Sequence, residues 1–186
     1  TITGNGYEPK GKIFKNSQEI EFLDDALKEV FRAGYLCNES YLFEKDGHYS
    51  INGDPTDGAL VVSALKSGLS EHILNTQYPR LDLLPFESDR QFMATINLDI
   101  ENEENILYLK GSIEKTLAIC DFELIDGEIV DIDKEKILYQ VEEFASKGLR
   151  VLAMAKKIVS GDSIDSRLLD NKFIFLGVQA IMDPPR

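Results

Sequence analysis

Two strand-forming runs joined by a short polar turn constrain this chain more than any other stretch. Met93 to Ile100 is rich in strand formers, Glu101 to Asn105 is polar, and Ile106-Leu107-Tyr108-Leu109-Lys110 runs back. Side chains alternate along a strand, so Ile106, Tyr108 and Lys110 share one face. Lys110 ends that apolar face as its only cation. Gly111 follows it with no side chain. Just before the pair lies Leu83-Leu84-Pro85-Phe86-Glu87-Ser88-Asp89-Arg90, a turn that carries an aromatic ring beside a proline.

The chain has 186 residues, one domain's length and enough for a real core. Its net charge is −13. With no basic excess to displace counterions, general nucleic-acid binding is excluded, and any anionic ligand has to be held by local cations against the overall field. Cys37 and Cys120 stand far apart and make neither a metal spacing nor a disulfide framework. His48 and His72 are single, and a plain surface or core role explains each. No apolar run approaches the length needed to span a bilayer.

Local signals give an element order. Thr1 to Phe14 reads as short strands with a turn at Pro9 to Gly11. Asn16 and Glu19 form a capping box, predicting a helix with Ile20, Leu23, Leu27, Val30 and Phe31 on one stripe, running to about Ala33 and stopping near Gly34. Asp46-Gly47 predicts a hairpin over Tyr41 to Tyr49. Asp54 caps a buried helix with Pro55 at its first position. Ser112 and Asp133 cap two more, the second ending at Gly148. Asp126-Gly127 turns a hairpin over Phe122 to Val130. Leu149 to Ala155 and Phe173 to Ile181 read as strands, the first carrying Arg150. The prolines of Met182-Asp183-Pro184-Pro185-Arg186 make a stiff connector. The fold class predicted is α/β, an antiparallel twisted sheet of about six strands with helices packed on its faces.

An aromatic ring, a lone lysine at a strand end and an adjacent glycine suit a nucleotide, which needs a surface to stack its base and cations for its phosphates. Plainer readings exist for each residue alone. Phe86 beside Pro85 is ordinarily core, Lys110 a solvated strand end, and Arg150 the partner of a carboxylate. Capping explains Asp54 and the positive helix end suits Asp57, though a carboxylate held there can also accept hydrogen bonds, for instance from a base amine.

In order, the motifs are Gly53-Asp54-Pro55-Thr56-Asp57-Gly58-Ala59-Leu60, Pro85-Phe86-Glu87-Ser88-Asp89-Arg90-Gln91-Phe92-Met93, Lys110-Gly111-Ser112-Ile113-Glu114, Gly148-Leu149-Arg150-Val151-Leu152-Ala153 and Met182-Asp183-Pro184-Pro185-Arg186. Together they resemble the nucleotide-binding domain of P-type cation-transporting ATPases, of the calcium and sodium/potassium-like branch, over nearly the whole chain. The resemblance implies that Phe86 stacks the adenine of ATP, that Thr56 and Asp57 contact the base or its edge, and that Lys110 lines the deep pocket. It implies that Gly111 allows close approach, that Arg150 reaches the phosphates and that Leu152 flanks the base, with Arg90 as a weaker contact. It implies one domain, 1–186, with hinge segments 1–6 and 182–186 leading to a phosphorylation domain, and with an actuator domain elsewhere in the same parent chain. That parent would be an ATP-driven, ion-translocating hydrolase using Mg2+, and this chain a cytoplasmic part of an integral membrane protein, not itself inserted.

Four positions depart from the family pattern. Gln91 stands where a phosphate-contacting lysine is usual, Ser112-Ile113 where Ala-Pro is usual, and Asp57 is one methylene shorter than the usual glutamate. The phosphorylated aspartate of an Asp-Lys-Thr-Gly-Thr string is absent. The expectation is an excised domain that binds ATP without hydrolysing it at a useful rate. The rival is a domain of the same fold that has lost nucleotide binding and serves as a regulatory or interaction module. A free-standing nucleotide enzyme would need a general base or metal cluster near the pocket, and the sequence offers none.

Overall fold

The computed structural model describes residues 1–4 and 6–182; the connector Asp183 to Arg186 lies outside them. A first hairpin, β1 (Ile13–Lys15) and β2 (Gln18–Ile20), precedes helix α1 (Asp25–Leu36). Thr1 to Thr3 lie along β1, with Thr3 N–H donating to Lys12 O at 2.9 Å and Ile2 bridging Ile13. The capping box expected at Asn16 does not form. Asn16 and Ser17 both take positive φ in the turn that closes this hairpin, and Asp24 caps α1 by accepting from Leu27 N–H at 2.8 Å. The helix also runs through Gly34 to Leu36, because its apolar stripe continues that far into the core.

Next come the hairpin β3 (Tyr41–Lys45) and β4 (His48–Asn52), then α2 (Pro55–Lys66) and α3 (Glu71–Gln77). The main sheet takes its strands from β5 (Arg80–Glu87), β6 (Phe92–Asp99), β7 (Glu104–Gly111), β8 (Cys120–Ile125), β9 (Glu128–Asp131), β10 (Arg150–Val159) and β11 (Phe173–Ile181). Helix α4 (Ile113–Ile119) joins β7 to β8, and α5 (Lys134–Ser146) joins β9 to β10. Gly148, at φ +72, ends α5. Its N–H and that of Leu149 return to the carbonyls of Ala145 and Phe144, which closes the helix end.

Spatial order in the sheet is β5-β6-β7-β10-β11-β8-β9. That is seven strands rather than about six, and all neighbours are antiparallel except β11 and β8. The parallel pair has a topological cause. β10 is antiparallel to both β7 and β11, so β7, β11 and β8 all run the same way. A chain returning to a parallel strand needs a crossover, and α4 is that crossover.

Alternation along the strands sorts the core into two layers. Phe92, Ala94, Ile96, Leu107, Leu109, Ala153 and Ala155 face α4 and α5, with Ile113, Leu117, Ile137 and Val141 packed on them. Met93, Ile106, Tyr108 and Met154 face the other way and meet Val30, Ala33, Leu36, Leu60 and Leu74 of α1, α2 and α3. Lys110 belongs to the second face, where it is buried opposite Met93 on one neighbouring strand and Met154 on the other.

Candidate functional site

Helix α2 begins at the sheet end where β7 stops and β10 starts. Asp54 makes that beginning, accepting from Thr56 N–H at 2.8 Å and Asp57 N–H at 3.2 Å, with Pro55 in the first turn. The first turn therefore has its cap already, and the second acid is free for other work. Asp57 Oδ1 accepts from Lys110 Nζ at 2.6 Å, with the lysine 4 % exposed and the aspartate 21 %. A buried ammonium needs such a partner, since leaving it alone in a low-dielectric interior costs several kcal/mol. One residue earlier on α2, Thr56 Oγ1 accepts from Arg150 Nη1 at 2.7 Å. Leu152, two residues along β10 from Arg150, is half-buried against the same core layer. Thr56, Asp57, Lys110, Arg150 and Leu152 are thus gathered at one helix start and two strand ends.

Phe86 comes from further across the sheet. Edge strand β5 bulges between Leu84 and Glu87, where Pro85 and Phe86 lie. Glu87 is paired with Phe92, Phe92 with Gly111 and Gly111 with Ala153, so Phe86 sits at the same end of the sheet as Lys110. The two strand steps from β5 to β7 span about 10 Å. Phe86 is 57 % exposed. The expectation that a Phe beside Pro is ordinarily core does not hold here.

Arg90 and Gly111 serve the frame of the site. Arg90 Nη2 donates to Pro85 O at 2.5 Å and Nη1 to Glu87 Oε2 at 3.1 Å, and the guanidinium lies over the Phe92 ring. Phe92 belongs to the α4 and α5 layer. Arg90 therefore ties the Phe86 bulge down from the face opposite Lys110. A Cβ on Gly111 would stand 2.4 Å from Phe92 Cβ and 2.6 Å from Gln91 O, so the missing side chain makes room for the neighbouring strand.

Two of the departures from the family pattern touch each other. Ser112 donates its Oγ–H to Gln91 Oε1 at 3.3 Å and its N–H to Gln91 O at 3.0 Å. Gln91 is left-handed, at φ +59, and so directs its carbonyl toward the start of α4.

Sequence reading passed over the segment that joins α1 to β3. Cys37, Asn38 and Ser40 are all buried. Burial pushes the Cys37 thiol up to about 11, partly opposed by the nearby Lys110 charge. Its Sγ reaches Met93 O at 3.6 Å and Tyr108 O at 3.7 Å. The available signal was an asparagine just beyond a helix end, a position where its side chain caps backbone groups.

Among the described residues no cluster of three His, Cys, Asp or Glu side chains is placed to hold a metal, and no helix is long and apolar enough to cross a membrane. A family profile described as "P-type ATPase, cytoplasmic domain N" matches residues 26–186. Cation-transporting ATPase pma1 of Synechocystis is 42 % identical over the whole of this chain. A calcium-transporting ATPase of Bacillus subtilis is 31 % identical, and the calcium-transporting ATPase type 2C member 1 of Bos taurus 30 %, again over the whole chain. The chain spans about a fifth of the length of these relatives, 21 %, 21 % and 18 %. With a profile match over most of its length and relatives at 30 % identity or more throughout, the chain belongs to the P-type ATPase cytoplasmic N-domain family.

Proposed function

We propose that this domain binds ATP, entering with Mg2+, and presents the γ-phosphate to the aspartate of a separate phosphorylation domain in a cation-transporting P-type ATPase. One observation carries this reading. Two basic side chains, Lys110 and Arg150, converge on consecutive residues of one helix start, at the sheet end that also bears the exposed Phe86 ring. These residues fit a nucleotide. Phe86 offers an exposed ring to the base, and Leu152 flanks the base. Thr56 and Asp57 offer a hydroxyl and a carboxylate to polar edges, and Lys110 and Arg150 offer positive charge to the phosphates.

Stacking on one ring contributes about 1–3 kcal/mol, and each charge-assisted contact about 1.5–3 kcal/mol before ordering costs. A net of about −4 to −6 kcal/mol places the affinity between about millimolar and tens of micromolar. A weak site suits a domain that delivers a phosphoryl group and then lets go. Its gain is positioning, which makes the transfer effectively unimolecular. Residues 1–6 and 182–186 would be the hinges to the phosphorylation domain, and the actuator domain a further partner. The relatives named as cation- and calcium-transporting ATPases support cation transport by the parent.

Titrating ATP into the 15N-labelled chain tests this. The expected result is saturable shifts confined to Thr56, Asp57, Phe86, Lys110, Arg150 and their neighbours. An unmoved spectrum at ~10 mM ATP, well above the predicted range, would instead support the module that has lost nucleotide binding. Gln91, already engaged with Ser112 and uncharged, favours that second reading as far as any residue does.

A further inference from the structure

We propose that Asn38 is a positioning residue for the Asp57–Lys110 pair, and through it for the phosphate end of the nucleotide; this rests on the ATP-binding reading above. Lys110 is fixed by β7, whereas Asp57 rides on α2. Their 2.6 Å contact therefore depends on how α2 docks against the sheet. Apolar packing of Leu60, Val61 and Val62 holds the helix down, but hydrophobic burial is non-directional and tolerates sliding. Something directional has to set the first turn.

Asn38 meets that need. It is 3 % exposed and uses both ends of its amide. Nδ2 donates to Asp57 O at 2.9 Å and to Gly34 O at 3.0 Å, so one group joins the last turn of α1 to the first turn of α2. Oδ1 accepts from Ser40 N–H at 2.8 Å, which fixes the amide's orientation. The bond goes to the backbone of the very residue whose carboxylate meets Lys110. Ser40 adds a second tie, its Oγ donating to Asp54 O at 3.1 Å. Arg80 Nη2 anchors the other side by donating to Leu36 O and Asn38 O, at 3.1 and 2.5 Å. Cys37 holds the same segment against the backbone of Met93 and Tyr108, beside Lys110. A fully satisfied buried network of this kind specifies one arrangement, and a misplacement of about 1 Å at a site like this costs about a hundredfold in function.

The test is a double-mutant cycle on ATP affinity in this chain, combining Asn38→Ala with Lys110→Met. Asn38→Ala alone is expected to weaken ATP about tenfold, the loss of one buried directional bond. In the Lys110→Met background it is expected to change affinity less than about twofold, since a positioning residue loses its purpose when the positioned group is gone. A merely structural asparagine would lower affinity equally in both backgrounds, and that result overturns the proposal. So does an unchanged affinity of Asn38→Ala when Lys110→Met is weakened. If Lys110→Met itself binds ATP normally, Lys110 has no part in binding and this inference fails while the ATP reading stands; if the parent chain does not bind ATP, it is that reading which fails. Should Asn38→Ala not fold, Ser40→Ala removes the adjoining tie to Asp54. It is expected to weaken ATP about threefold, again only where Lys110 is present; equal loss in both backgrounds overturns the proposal.

Discussion

Lys110 Nζ stands 2.6 Å from Asp57 Oδ1, closing a gap of 53 residues with an ion pair whose cation is almost wholly out of water. The two partners are not equivalent. Removing the aspartate strands a buried charge, while removing the lysine leaves an acid that still touches solvent. Asp57→Ala should therefore destabilise the fold by about 3 kcal/mol, near the low end for a broken buried pair because the aspartate is partly exposed. Lys110→Met, which keeps the volume and drops the charge, should cost less than half of that. Urea denaturation of both variants checks the order, and equal costs would contradict the asymmetry.

Phe86 separates binding from stability. Phe86 is 57 % exposed, so Phe86→Ala should leave the unfolding free energy within about 0.5 kcal/mol of the parent. ATP affinity should fall about 5- to 150-fold, the range for losing one base-stacking ring. Calorimetric titration reads the second quantity and denaturation the first. An undiminished affinity would remove the base-stacking role.

Much of this fold was legible because its signals are local. Asp54, Ser112 and Asp133 cap their helices as their positions in the sequence indicate, and Asp46-Gly47 and Asp126-Gly127 turn their hairpins. Asn16 misled because it competes with Asp24: both precede an apolar stripe, and only the hairpin pairing of Ile13 with Ile20 decides between them. That pairing is tertiary, as is the parallel placement of β8 beside β11, which depends on where α4 crosses. At the site, Asp57 stood out as an acid beyond the capping Asp54, but nothing local in the sequence paired it with Lys110, 53 residues away. Arg90 did not reveal its direction, since it sits in the turn between β5 and β6, where its guanidinium folds back onto Pro85 O and lies over Phe92.

Gly111 separates packing from ligand approach. An added methyl would collide with Phe92 Cβ at 2.4 Å and Gln91 O at 2.6 Å, and one of these is backbone. Gly111→Ala should destabilise by about 1–3 kcal/mol, as overpacking does, and lower the melting temperature by a few degrees. A melt unchanged from the parent would mean that the strand pair can open, and would return the glycine to a role in admitting ligand.

Cys37 predicts an alkaline weakness. Burial raises its thiol from the ordinary 9.0 to about 11, against the opposing pull of the Lys110 and Arg80 charges, with Asp57 adding to the rise. The folded state thus keeps the proton where the unfolded chain has released it. Its stabilisation is complete below pH 9 and is lost as the pH climbs toward 11. Two units correspond to about 2–3 kcal/mol. Tyr35 and Cys120, each raised to about 12 by burial, add their own losses in the same direction. Cys37→Ala cannot ionise at that position. Its unfolding free energy should be lower at pH 8, from the lost packing, yet fall less steeply between pH 9 and 11 than that of the parent. Urea midpoints across that window measure both slopes. Parallel slopes would mean that the thiol ionises in place, with the Lys110 ammonium near enough to hold a thiolate in the folded core.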